Sequence, residues 1–253
     1  MQYLDMPWGR MGYTCAGKSD RAPFVFLHGT GCNMSDWNDV TAALCAGGPL
    51  VRVDFRGHGA SDVARDSFVL SDLADDVILL VNGLGLQDVV LVGHSLGGMV
   101  ALEIASRSPW IKALVLLEGW TSLRAANAFA GERFYGQLPS QAVEQIQKKA
   151  TATRARFATA VWNNFWASVQ AFDAAPILAR MAMPVFEVYG SMGKTEATRG
   201  ILAIPDRSNI KICWIADAGH YLPQERPADV AAICMRAARG SPAGMNKITT
   251  SMK

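Results

Sequence analysis

The chain has 253 residues, 50% of them hydrophobic, enough for one large domain with a sizeable buried core. A formal net charge of +2 without a basic cluster argues against nucleic acid or an anionic membrane surface as partner. Scattered cysteines (Cys15, Cys32, Cys45, Cys213, Cys234) and histidines (His28, His58, His94, His220) give neither a disulfide framework nor a zinc signature, and no run approaches the ~18 apolar residues of a membrane span.

The chain opens on Met1–Trp8, which lacks the basic region and apolar run of a signal peptide; a reduced, cytoplasmic protein with free thiols is the expectation. Phe24–Leu27 reads as a buried strand ended by His28-Gly29-Thr30-Gly31. Val51–Asp54 reads as another, ended by Arg56-Gly57-His58-Gly59. Leu70, Leu73, Val77, Leu80 and Leu84 recur at helical spacing until Gly85 stops them. Val89–Val92 predicts a strand, Met99–Arg107 a helix, and Ala113–Leu117 a further strand. Late strands are expected at Val185–Tyr189 and Ile210–Ile215, and a last helix at about Ala228–Ala238. This alternation implies an α/β fold, a parallel sheet with helices on both faces.

Residues 120–175 break the rhythm. They hold helical patterns rich in aromatics: Trp120, Phe129, Phe134, Tyr135, Phe157, Trp162, Phe165, Trp166 and Phe172. A helical cap inserted into a discontinuous core (1–119 and 176–253) is expected. Singly, each aromatic is best read as packing; as a group, several are expected to line an apolar pocket, with Trp120, Trp162 and Trp166 as candidates. The tail, 240–253, reads as flexible.

The pentapeptide Gly93-His94-Ser95-Leu96-Gly97 carries the chemistry. It follows an apolar strand and precedes a helix, the context of a nucleophile elbow. A turn this tight leaves no room for a Cβ two residues either side of the serine. It lifts the Ser95 hydroxyl clear of the sheet and leaves a helix N-terminus, where negative charge is favoured, beneath it.

Four motifs together resemble the α/β-hydrolase family. They are His28-Gly29-Thr30-Gly31, Asp54-Phe55-Arg56-Gly57-His58-Gly59-Ala60-Ser61, Gly93–Gly98, and Ala218-Gly219-His220 followed by Pro223–Pro227. The resemblance covers about residues 10–239 and implies an eight-stranded, mostly parallel sheet with a Ser-acid-His triad at its C-terminal edge. It places the base at His220, which is also the best candidate by position, in a loop between the last strand and the last helix. His28 reads as an orderer of the oxyanion loop, His58 as a turn residue, and His94 as pointing away from the nucleophile. The oxyanion donors are expected to be the backbone N–H groups of Leu96 and Thr30.

The acid departs from the commonest family pattern, which places an Asp shortly after the seventh strand. Here Gly190-Ser191-Met192-Gly193-Lys194-Thr195 offers no carboxylate before Glu196. The sixth strand instead ends Leu116-Leu117-Glu118, and some branches, including certain haloalkane dehalogenases and cofactor-free dioxygenases, carry the acid there. Glu118 is the leading candidate and Glu196 the alternative; Asp217 and Glu187 are weaker.

The expected function is hydrolysis of a carboxylic ester or thioester with an apolar portion, through an acyl-Ser95 intermediate. No metal or organic cofactor is called for, and the partner is a small-molecule substrate. Epoxide hydrolases and haloalkane dehalogenases need an aspartate nucleophile, which this chain lacks. A carbon-carbon bond hydrolase using Asn33 or Arg124, a cofactor-free dioxygenase, and a non-catalytic small-molecule receptor stay open as alternatives.

Overall fold

A computed structural model describes residues 1–17, 21–44, 47–119, 121–122, 124–125, 134–192 and 200–240. Its strands, in chain order, are β1 (Gln2–Met6), β2 (Gly9–Ala16), β3 (Phe24–Leu27), β4 (Leu50–Val53), β5 (Val89–His94), β6 (Ile111–Leu117), β7 (Val185–Gly190) and β8 (Ile210–Ile215). They form one eight-stranded sheet in the order β1-β2-β4-β3-β5-β6-β7-β8. The β1-β2 and β2-β4 pairings are antiparallel and the rest are parallel.

The family-implied sheet is therefore present, and the six strands read from apolar runs all form. The first two carry no such run. β1 is an edge strand with a mostly exposed burial pattern, so it has no apolar face for a sequence pattern to reveal.

Alternation within each central strand builds two cores. Val89 and Leu91 of β5 face one side and Val90 and Val92 the other. The first side is covered by α2 (Leu70–Gly83) and α3 (Leu96–Ala105), the second by α1 (Asn38–Ala43) and α8 (Pro227–Ala238). The stop at Gly85 holds: it adopts φ +65°, a conformation that ends a helix without strain only for glycine.

Between β6 and β7 lie α4 (Ser140–Ala155), α5 (Thr159–Gln170) and α6 (Ala175–Leu178), with no strand among the described residues of that stretch. α5 buries Val161, Phe165 and Val169 in a stripe at i, i+4, i+8 that packs on the first core. α4 buries only Ile146 and Thr153 and is otherwise wet. The region's aromatics divide into two groups: Phe157, Trp162, Phe165 and Trp166 associate with one another and with Phe68, while Phe134 and Tyr135 pack on Tyr221. Trp120, Phe129 and the tail beyond Gly240 lie outside the described residues.

Candidate active site

Because β3, β5, β6, β7 and β8 run parallel, their C-terminal ends share one edge of the sheet, and Thr30, Ser95, Leu96, Glu118 and His220 follow the ends of β3, β5, β6 and β8 there. Ser95 joins β5 to α3 at φ 53°, ψ −117°, a strained backbone for a non-glycine residue. Two close approaches account for the flanking glycines. A Cβ on Gly97 would overlap the carbonyl of Leu27, and one on Gly93 would overlap that of Gly97. Helix α3 begins at Leu96, three residues earlier than the apolar pattern predicts, since the turn itself is its N-terminus.

Glu118 follows β6 directly and is also strained, at φ 51°. It is fully buried. Its N–H extends the β6-β7 pairing by donating to Val188 O at 2.8 Å, and its Oε1 accepts the N–H of Gly190 at 2.7 Å. Its Oε2 lies 3.5 Å from His220 Nδ1. That is ion-pair range rather than a tight hydrogen bond. A carboxylate on Nδ1 leaves Nε2 as the nitrogen for the nucleophile.

His220 sits in an irregular turn between β8 and α7 (Leu222–Glu225) and is held from several directions. Its N–H donates to Phe134 O at 2.8 Å, and its carbonyl accepts His94 Nε2–H at 2.9 Å. The Phe134 ring stacks on its imidazole, 4.4 Å between centroids and 15° between planes. The residue next to Ser95 thus props the loop of the candidate base, a role sequence reasoning missed. Burial depresses the His94 pKa to about 3, so at neutral pH the ring is uncharged and its Nε2 carries the proton it donates.

The expected oxyanion loop lies against the elbow: a Cβ on Gly29 would stand 3.3 Å from Ser95 Cβ. His28 orders this loop as read from the sequence. Its Nε2 accepts Phe55 N–H at 3.1 Å, so its proton sits on Nδ1 and goes to Gly29 O at 2.8 Å. Burial lowers its pKa to about 4. His58, also buried and lowered to about 3, caps its own turn through Arg56 O. Leu96, at the first position of α3, has an N–H with no partner inside the helix. Thr30 is half-buried at the mouth of the site.

Thr30 and Gly31 line an open cleft of about 500 Å³ with Ala150, Thr151, Arg154, Ala155 and Trp162. Trp162 stacks beneath the Arg154 guanidinium, 5.2 Å from its carbon. Trp166 does not line this cleft; its ring packs on Trp162 and Phe165. Asp36, within the 3₁₀ turn Met34–Trp37, ties the surrounding pieces together: it accepts Lys149 Nζ of α4 at 2.7 Å and Gln224 Nε2 of α7 at 2.8 Å. Burial works against its charge, yet the Lys149 ammonium and the Asn33 N–H hold its carboxyl below the usual range.

Of the other acids, Asp217 is exposed and its N–H bonds Ser191 Oγ, while Glu187 is buried within β7 against Tyr189. Glu196 lies outside the described residues.

A family model described as "Alpha/beta hydrolase family" matches residues 24–233. The chain belongs to the alpha/beta hydrolase family. Among curated relatives of this alpha/beta hydrolase is the soluble epoxide hydrolase of Corynebacterium sp. (strain C12), 28% identical over 87% of the chain and 81% of the relative. An uncharacterized Mycobacterium tuberculosis protein (strain ATCC 25618 / H37Rv) is 31% identical over 46% of the chain; the chain spans about a third of that relative, 34%. Solved structures of similar fold include an esterase from Thermogutta terrifontis, with 21% identity and TM-score 0.72 over 94% of this chain and 98% of that one. Another is the enol-lactonase from Burkholderia xenovorans LB400, with 19% identity and TM-score 0.71 over 94% and 100%. No helix among the described residues is long and apolar enough to cross a membrane.

Proposed function

We propose that this alpha/beta hydrolase cleaves a carboxylic ester or thioester with an apolar portion, under a helical cap formed by residues 120–175. The observation that carries the reading is the meeting of strand ends: Ser95 on a strained turn after β5, and Glu118 after β6 at 3.5 Å from His220 Nδ1. Ser95 Oγ attacks the carbonyl carbon as His220 Nε2 takes its proton, and Glu118 holds the imidazolium. The N–H groups of Leu96 and Thr30 receive the oxyanion. The tetrahedral intermediate collapses, the leaving alkoxide or thiolate takes the proton from His220, and the acyl group stays on Ser95. Water then attacks the acyl carbon, giving a proton to His220 that returns to Ser95 as the acid departs.

The names of the fold's neighbours, an esterase and lactonases acting on cyclic esters, agree with oxygen-ester chemistry. The epoxide hydrolase relative does not extend to this chain's chemistry, because an alkyl-ester intermediate needs a carboxylate at the elbow and Ser95 stands there. The carbon-carbon hydrolase reading has less support. Asn33 Oδ1 accepts Ser35 N–H as a turn cap, and Arg124 is exposed.

The test is a panel of p-nitrophenyl esters, thioesters and lactones together with a fluorophosphonate probe. Wild type is expected to turn over esters and be labelled, and Ser95→Ala to do neither while keeping its fold. Labelling retained on Ser95→Ala would remove Ser95 from its role; no turnover of any panel member despite labelling would favour the receptor reading.

A further inference from the structure

Glu225 closes the short helix α7, and its carboxylate faces back onto the histidine loop. It accepts the N–H of Gly219 at 2.9 Å and that of Tyr221 at 3.1 Å, the residues on either side of His220. It also accepts the N–H of Gln137, at 3.3 Å, from the strap that leads into α4. A carboxylate offers about four acceptor sites, and backbone donors take most of these. The strap comes so close that a Cβ on Gly136 would overlap the Glu225 carboxyl.

The strap meets His220 at two further points, Phe134 O on its N–H and the Phe134 ring on its imidazole. Consecutive N–H groups from 219 to 221 are therefore bonded, the outer two by Glu225 and the middle one by the strap. No helix or strand fixes this stretch of chain, so its conformation depends on these partners. The Glu225 carboxylate bonds the residues flanking His220 and the strap.

We propose that Glu225 is a positioning residue for His220, clamping the peptide groups on both sides of it and locking the Phe134–Gln137 strap onto the loop. The inference rests on the reading of His220 as the base. Charge and reach both matter. A glutamine keeps one acceptor oxygen and turns an NH₂ toward the remaining amide, whereas alanine leaves all three N–H groups without their acceptor. A misplacement of about 1 Å in a reacting group costs on the order of 100-fold in rate.

The experiment compares Glu225→Ala, Glu225→Gln, His220→Ala and Leu73→Ala with wild type. Leu73 is buried in α2, a helix that carries none of the candidate site residues, so its variant serves as the control for loss of stability. Readouts are kcat and KM on p-nitrophenyl butyrate, the rate of fluorophosphonate labelling at Ser95, and the melting temperature. Glu225→Ala is expected to lower kcat and the labelling rate together by ~100-fold with KM within about threefold. Glu225→Gln should fall between it and wild type, and it carries the test if Glu225→Ala does not fold. Leu73→Ala should lower the melting temperature with kcat unchanged. The proposal is overturned if the Glu225 variants keep kcat within threefold of wild type, or lose no more than Leu73→Ala at equal loss of melting temperature. Should His220→Ala itself keep wild-type turnover, the reading of the base fails, and the positioning role with it.

Discussion

Glu118 bridges two strand ends at once: its Oε1 accepts Gly190 N–H at 2.7 Å from β7 while its Oε2 stands 3.5 Å from His220 Nδ1. One oxygen anchors the carboxyl to the sheet and the other meets the imidazole. β7 supplies a backbone donor here, and the carboxyl comes from β6.

Glu118→Gln is expected to lower turnover by up to ~10⁴-fold, by analogy with an Asp→Asn change in a serine-protease triad. The amide keeps the shape but loses the charge that steadies the imidazolium, and it favours the wrong His220 tautomer. Asp217→Asn should cost far less, since Asp217 is exposed. Turnover of Glu118→Gln, Asp217→Asn and Glu196→Gln at pH 7 decides the assignment; a crippled Glu196→Gln beside a near-normal Glu118→Gln would move the acid to 196.

Trp162→Ala and Trp166→Ala should separate by readout. Trp162 lines the cleft beside Thr30, so its truncation should shift acyl-chain preference across an ester series. Trp166 packs on Trp162 and Phe165 and is half-buried, so its loss should lower stability by about 2 kcal/mol, short of the ~3–5 of a fully buried aromatic, with preference unchanged. Denaturant melts and relative kcat/KM values check both.

Arg56 and Asp76 form a bidentate pair, both bonds 2.8 Å, sealed beneath Trp8, which donates to Asp76 at 2.9 Å. Burial pushes the Asp76 carboxyl up even against the guanidinium, so the pair adds little net stability. Breaking it is another matter: Asp76→Ala leaves a buried guanidinium without a counter-charge. A loss of about 3–5 kcal/mol in urea melts is expected, whereas replacing both partners with apolar residues should cost much less.

Stability should peak near pH 6.5. Burial lowers His28 to about 4, and His58 and His94 to about 3, from an ordinary 6.5. Between pH 4 and 6.5 the unfolded chain binds protons there that the folded chain refuses, so stability rises with pH by up to roughly 1.4 kcal/mol per unit for each histidine. Glu187 runs the other way. Burial pushes it up from 4.5 to about 8, so across that range the folded chain holds the extra proton and stability falls as pH rises. Below 6.5 the three histidines outweigh Glu187, and above it their contribution fades while that of Glu187 continues toward its folded value of about 8. Urea melts from pH 5 to 8 should show the maximum, and Glu187→Gln should flatten its alkaline side.

Several features were legible in the residues themselves. The apolar runs of β3, β5, β6 and β7 announce buried strands because a strand covered on both faces needs no alternation. The Gly93–Gly97 turn announces itself because only glycine tolerates its contacts. The lack of a carboxylate between Gly190 and Thr195 is what makes Glu118 the leading candidate for the acid. β1 was illegible, since an exposed edge strand carries no apolar signature. The aromatics between 120 and 175 were legible only as a class: the same residue type serves as cleft wall at Trp162, as packing at Trp166, and as a stack on the imidazole at Phe134.

By itself the sequence determined the strands from β3 to β8, the elbow and the family, because periodicity, turn chemistry and motif order are local properties of the chain. Which groups meet was decided only in three dimensions. Pairing β5, β6, β7 and β8 side by side brings the turns after β5 and β6 together with the loop after β8 at one edge. That places Glu118 against His220, His94 beneath its carbonyl and Glu225 around its neighbours. The physical reason is that these contacts join residues far apart in the chain, and no local pattern records a distance that sheet order and burial set.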